Sequence, residues 1–432
     1  MHLSACIWPR GPRDLSFVLF VIPALLVIGA ARTAAGAEPP LSLEEAIDQA
    51  RRETPDVAAS AAMLEGAQAV APSAGRLPDP ELVTGVDNLP INTDDRFSFT
   101  RDFMTMRKIG VMQSFPNREK RRLQSERAER GIDIAQAELR KTQFDAGRAA
   151  AEAWIAAAVA QESLERLREI KPETDLQAVA GRAALASGRA SAAEALGSQA
   201  LVAGLDDRIL SFEQDAEMKR AELSRWIGAA ADRPLTAIPT DLPLEHAMES
   251  LVAGVPEHAP LAPLIAQIAA AQTDVELARA EKRPDWSTEL TFIKRGPDFS
   301  DMVALEFRIG LPLFPKHRQD PMIAEKLASV RAQEAMRDGE VRMHTAEVRS
   351  AFAEWRRGRE RLQRYESDLV PLAHDRSRAA VASYGSGRGD LRSAIDALTG
   401  EIDTQLSYVQ LQGSVARAWV FLHLLHDSGI PK

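Results

Sequence analysis

In the stretch Val303, Leu305, Phe307, Ile309, Leu311, Leu313 every second residue is apolar, and Ala304, Glu306, Arg308, Gly310 and Pro312 lie between them. Trp286, Thr288, Leu290 and Phe292 repeat the pattern opposite Glu289 and Thr291. A period of two sorts residues onto the two faces of a strand. Elsewhere the period is helical. Positions 341, 344, 348, 351, 355, 358, 362, 365, 369 and 372 advance by threes and fours, and Val341, Val348, Ala351, Trp355, Leu362, Tyr365, Leu369 and Leu372 occupy that stripe. A mean step of about 3.5 predicts a coiled-coil seam, with His344 and Gly358 as its weak points.

Read along the chain, these patterns predict a helix from Ser42 to about Val70, a strand pair from about Glu81 to Phe115, and a helix from Asn117 to Ser187. After a break at Gly188 comes a helix from about Ser191 to Ile227, then a linker from Ala231 to Pro263 rich in proline. The series then restarts: helix Leu264 to Lys282, strand pair Trp286 to Leu313, helix Lys316 to Ser383, break, helix Leu391 to His426. This is an internal repeat. Phe115-Pro116 matches Phe314-Pro315 at a shift of 199, Pro172 matches Pro371, Ser187-Gly188-Arg189 matches Ser386-Gly387-Arg388, and Trp154 matches Trp355 at 201.

The long helices exceed what a globular core needs. At 1.5 Å per residue, Asn117 to Ser187 would span roughly 100 Å. The strands, of about 10 residues with one apolar face, fit an outer-membrane barrel wall. Four strands cannot close a barrel, because barrels start at about 8, so several chains must each contribute a sector. Arg107 and Lys108 make the first pair less regular, and its outer loop, about Leu89 to Phe103, is longer than the one near Arg295 to Asp301. A soluble sheet with one solvated face is the alternative reading of alternation alone.

Residues 1–37 read as a secretory signal: Arg10 and Arg13 precede an apolar run from Phe17 to Ala30, and Ala35-Gly36-Ala37 supplies a small-x-small cleavage site. The one cysteine, Cys6, stands before the apolar run, so no lipid anchor is expected, and the exported chain has no disulfide or cysteine-metal site. A net charge of -9 with only 5% aromatic residues argues against nucleic acid as a partner. Beyond the signal no apolar run is long enough for a spanning helix.

The order LSLEEAIDQA (Leu41 to Ala50), LPDPEL (Leu77 to Leu82), IGVMQSFPNREKRR (Ile109 to Arg122), FRIGLPLF (Phe307 to Phe314) and YGSGRGDLRSAIDAL (Tyr384 to Leu398) resembles the TolC family of outer-membrane efflux proteins. The resemblance implies a mainly α fold with β hairpins, internally duplicated. Four strands per chain would make a trimeric 12-stranded outer-membrane β-barrel, continued by a long periplasmic α-helical coiled-coil barrel. It implies a passive duct rather than an enzyme, without cofactors. Its partners would be two further copies in a homotrimer, a periplasmic adaptor of the membrane-fusion type, an inner-membrane pump of the RND type and outer-membrane lipid. DNLP (Asp87 to Pro90) and TRDFMTMRKIGV (Thr100 to Val111) look most like the outer components of heavy-metal-efflux systems. A drug-efflux or type I secretion duct of the same fold is the alternative, and a soluble periplasmic coiled-coil adaptor or structural protein is the alternative from another class. The implied organisation is signal 1–37, N-terminal helix 38–75, hairpin 76–116, helical hairpin 117–230, equatorial linker 231–263, helix 264–283, hairpin 284–315 and helical hairpin with C-terminus 316–432.

Individual residues carry expectations within that frame. Phe115 and Phe314 fit aromatic belt positions, and Arg118, Lys120, Arg121 and Arg122 follow where the chain would leave the membrane and meet lipid phosphates. Pro172 and Pro371 are candidate helix bends. The tips around Gly188, Arg189, Gly387 and Arg388 read as helix reversals, with a capping box from Ser191 to Glu194 and an N-cap at Asp390. By resemblance the tips dock the adaptor and gate the entrance, Tyr384 matching a gate tyrosine, Glu194 its acidic partner and Asp396 a second acid. Arg388 stands one position nearer the glycine than the family's arginine, with Gly389 in that place, and Ser393 replaces an aspartate. His423 with His426 read as the polar edge of the final helix, and Met104, Met106 and Met112 as ordinary packing, rather than as metal ligands.

Overall fold

The two hydrophobic periods become one four-stranded sheet continued by long helices. The computed structural model describes residues 39–244 and 247–429, and from Pro40 onward they form one unit. The expected signal, residues 1–37, lies outside the described residues, as do 430–432. Among the described residues no helix is long and apolar enough to cross a membrane.

Helix α1 (Leu43–Glu53) starts at Ser42, whose hydroxyl accepts from the Glu45 amide at 3.1 Å. Thr54 is extended and α2 (Pro55–Val70) begins at the following proline, so the helix expected from Ser42 to Val70 is two. Proline lacks an N–H and disfavours helical geometry in the residue before it. Next come β1 (Glu81–Asp87) and β2 (Met106–Phe115), then α3 (Arg118–Ala186) and α4 (Ala192–Ile227). The linker holds the short α5 (Met248–Ala253), and α6 (Ala262–Ala280) leads into β3 (Trp286–Lys294) and β4 (Met302–Ile309). All four strands pair antiparallel in the order β1-β2-β3-β4. The second pair stops short of Leu313: Gly310 still donates to the Asp285 carbonyl at 2.9 Å, but Pro312 has no N–H for a ladder.

The second half continues with α7 (Gln319–Arg364), one π-turn (Tyr365–Leu369), α8 (Val370–Gly385) and α9 (Leu391–Gly429). Helix runs through Pro172 in α3, whereas Pro371 is the second residue after the π-turn. That turn displaces the predicted stripe. His344, Val348, Gly358 and Leu362 are buried on it, but Leu369 and Leu372 are 44% and 66% exposed. The extra residue of a π-turn advances the inward face by one, to Val370, Ala373 and Ser377. His344 and Gly358 are not weak points. A Cβ at position 358 would overlap Val415 of α9, so the glycine sets how closely α7 and α9 approach.

The helices form a wall four elements wide at two levels. Beside the sheet the order is α2-α3-α6-α7, and toward the far tips it is α4-α3-α9-α8. Each level leaves its outermost helices uncovered on one side, as the sheet leaves β1 and β4. The main core lies where the levels meet, and there the repeat becomes structural. The Trp154 indole donates to the Leu41 carbonyl at 3.1 Å, and the Trp355 indole donates to the Leu242 carbonyl, also at 3.1 Å. Both pairs are separated by 113 residues, so the N-terminal segment and the linker play the same part in the two halves. Trp419 adds a third indole bond, to the Pro243 carbonyl at 2.9 Å.

Replacing Gly358 by Leu should cost about 1–3 kcal/mol through overpacking against Val415. Gly131→Ala, where a Cβ meets nothing within 4 Å, should be neutral or stabilise by up to ~1 kcal/mol. Unfolding followed by circular dichroism on both variants checks the contrast.

Candidate functional site

The register sorts the sheet's side chains. Leu82, Val111, Leu290 and Leu305 stand across from one another on one face, as do Ile109, Phe292 and Val303. This apolar face is bare: Val303, Leu305, Phe307 and Ile309 are between 60% and 69% exposed. The opposite face is polar and internally bonded. Arg308 donates to Glu289 and to Glu306, each at 2.8 Å, and Lys108 pairs with Asp87 at 3.0 Å. Such a sheet suits lipid on one side and water on the other. Arg107 and Lys108, the two cations that blurred the alternation, fall on different faces.

At the helix end of the sheet the Phe115 and Trp286 rings stack, centroids 4.1 Å apart, and Phe314 is exposed. Lys120 departs from the expected lipid-facing role. It is buried, its ammonium donating to Asp285 at 2.7 Å and Glu281 at 3.0 Å, while Asp285 also accepts from the Asn117 amide. Burial alone would lower its pKa, but the two carboxylates outweigh that and raise it. Lys120 therefore ties the start of α3 to the start of β3. Arg122 is held by Glu119 and Glu126, and the Arg121 Nε is enclosed without a partner among the described residues. Arg118 stays exposed.

The far tips are the same turn twice. Gly188 and Gly387 adopt φ of 71° and 72°, a left-handed conformation that glycine takes without strain. Arg189 N donates to Ala184 O at 2.8 Å, and Arg388 N donates to Ser383 O at 3.0 Å. Both arginines then bond their own turn, Arg189 to the Ser187 hydroxyl and Arg388 to the Ser386 hydroxyl. The next helices are capped differently. Ser191 and Glu194 form a reciprocal capping box, and Asp390 accepts from the Ser393 amide at 2.7 Å and its hydroxyl at 2.9 Å. Hydrogen bonds from the Ser191 backbone and hydroxyl hold Glu194 below the usual carboxylate range, and those from Ser393 do the same for Asp390. Glu194 is spent on its cap and makes no bond to Tyr384, whose hydroxyl is enclosed without a partner among the described residues. Asp396 is exposed.

The histidine pair that the fold brings together is not the one adjacent in sequence. His423 stacks on Trp419 at 4.5 Å, and the side chain of His426 lies outside the described residues. His258 Nδ1 lies 3.1 Å from His344 Nε2, and His344 Nδ1 lies 3.3 Å from Glu347, which in turn pairs with Arg148. The carboxylate fixes the tautomer: His344 donates from Nδ1 and accepts at Nε2 from His258. Sequence reading missed this pair because 86 residues separate its members. Among the described residues no cluster of three or more metal-ligating side chains exists. Met106 and Met112 stand six residues apart on one strand, about 20 Å, and Met112 sulfur accepts from Arg308.

Residues 46–229 match the family described as outer membrane efflux protein. A search of curated proteins finds no match. The whole fold is similar to solved channels. The Campylobacter jejuni CmeC outer membrane channel aligns with TM-score 0.75 at 13% identity, over 90% of this chain and 86% of that one. The outer membrane protein VceC of Vibrio cholerae aligns with TM-score 0.73 at 18% identity, over 90% and 96%. CusC, whose structures describe folding and transmembrane channel formation, aligns with TM-score 0.75 at 14% identity, over 90% and 92%.

Burial, with His344 beside it, pushes His258 down to about 4, and burial lowers His344 as well. The unfolded chain then takes up protons before the folded one does. Stability from His258 is full above about pH 6.5 and is lost as pH falls toward 4, by up to about 3 kcal/mol. A His258→Gln variant should show a flatter decline than the parent when unfolding is measured across that window.

Proposed function

We propose that this chain, a member of the outer membrane efflux protein family, is the outer-membrane duct of a multi-component efflux system and works as a homotrimer. One observation carries the reading: the sheet and both helical levels are walls with two open edges that further copies would close, and the outer face of the sheet is bare and apolar. Three copies bring twelve strands, enough for a barrel. The helices would then continue the barrel through the periplasm. The protein is a passive channel and not an enzyme, and energy comes from an inner-membrane pump reached through a periplasmic adaptor.

The tips at Gly188, Arg189, Gly387 and Arg388 are the proposed adaptor contact, and Tyr384 the proposed gate residue. Its hydroxyl has unspent hydrogen-bonding capacity, while Glu194 and Asp390 serve as caps. Asp396 is proposed to line the entrance. Arg118, with Phe115 and Phe314, is proposed to face the periplasmic leaflet. Heavy-metal cations are the proposed cargo, a reading supported by the segments Asp87 to Pro90 and Thr100 to Val111.

The protein should extract from outer membranes only with detergent, migrate differently before and after heating, and conduct ions in planar bilayers. Tyr384→Phe should raise conductance several-fold, and unchanged conductance would remove its gate role. A deletion strain should lose resistance to metal salts rather than to drugs. The opposite pattern keeps the duct and overturns the cargo.

A further inference from the structure

The outward face of the sheet carries two charges within its ladder, and both sit at one end. Arg107 and Lys294 are directly paired across β2 and β3, on the same face as Ile109, Val111, Leu290 and Phe292. They lie at the hairpin end, away from the helices. Like charges directly opposite one another in a sheet repel, so the pair calls for an anion. Among the described residues neither side chain makes an ion pair. Asp87, on the polar face, is taken by Lys108, and Asp301, just beyond the ladder from Met302, does not bond Lys294.

Arg107 is nevertheless held in place. Its Nη2 donates to the Arg295 carbonyl at 2.7 Å, which fixes the guanidinium against the second hairpin loop. Its Nε is enclosed and finds no partner among the described residues. Lys294 is exposed beside it. A planar guanidinium next to an ammonium suits a phosphomonoester, which offers several oxygens to both. The apolar band that ends at these residues suits acyl chains. Cations on a lipid-facing wall are costly at mid-depth and nearly free at the interface, which is where the ladder puts them.

We infer that Arg107 and Lys294 form a binding site for the phosphorylated headgroup of an outer-leaflet membrane lipid, with the lipid's acyl chains lying along the apolar face below. The inference rests on the outer-membrane reading above. One lipid per chain would fit each copy's sheet at its outer rim.

Purified full-length protein, titrated with bisphosphorylated lipid A and examined by native mass spectrometry, tests this. The parent should retain the lipid, and the double variant Arg107→Gln, Lys294→Gln should bind it at least ten-fold more weakly. Dephosphorylated lipid A should not distinguish the two. Arg118→Gln, at the other end of the sheet, should bind as the parent does. Equal retention by parent and double variant, with both in the outer membrane, overturns this site and leaves the duct intact. Full competition by millimolar inorganic phosphate overturns the lipid as the occupant. Absence of the parent from the outer membrane overturns both readings.

Discussion

An open sheet edge in hydrocarbon is the constraint on which the rest of the structure depends. Each backbone N–H or C=O without a partner there costs several kcal/mol, so a four-stranded sheet with free edges at β1 and β4 is not a stable membrane object alone. The helices inherit the same incompleteness. The outermost helices, α2 and α7 at one level and α4 and α8 at the other, continue the two free edges. Along α2 the exposed face includes Ala59, Ala62 and Gly66, small residues that bury little until a neighbour lies against them. Closure by further copies, as proposed, would therefore satisfy the strands and the helices in one step.

Within a copy, apolar burial is concentrated where the two helical levels meet. Trp154, Leu223, Val348, Val415 and Leu422 are buried there, and the indole bonds to Leu41 and Leu242 lock each half to a strap of extended chain. Toward the tips the core thins to Leu167, Ile170, Leu205 and Ile402, and beyond them to Leu398 and Leu391 set among small residues such as Ala178, Gly181, Ala184 and Ala195. Fewer buried apolar contacts mean a lower free energy of local opening. The end that would have to move is thus more thinly packed than the level where the halves meet, and the membrane end is fastened by the buried Lys120 with Asp285 and Glu281.

What was legible in the sequence was local or repeated. The alternation around Phe307 gave a strand with a bare apolar face, and the near-copies at Gly188 and Gly387 gave identical turns. What was not legible depended on register or on distant partners. The π-turn before Pro371 adds one residue to the helical phase, which no periodicity count could anticipate, and so Leu369 and Leu372 leave the seam. Lys120 looked like one of four surface cations. Its partners are more than 160 residues away, and only the sheet brings them close. His344 looked like a flaw in an apolar stripe because His258 sits on the linker.

The tip sequence is explained by the repeat rather than by a cross-tip lock. Arg388 occupies the position of Arg189, and both bond the hydroxyl of their own turn. Ser393, standing where an aspartate was expected, completes the cap begun by Asp390. Two of the charges that could have formed a lock are thereby committed within single turns, and Glu194 is committed to Ser191. An enclosed hydroxyl without a partner costs about 1–3 kcal/mol, so Tyr384 is the tip group with most to gain from a bond. A closed entrance built from these residues would depend on packing and on that hydroxyl more than on ion pairs, and its strength would depend little on salt.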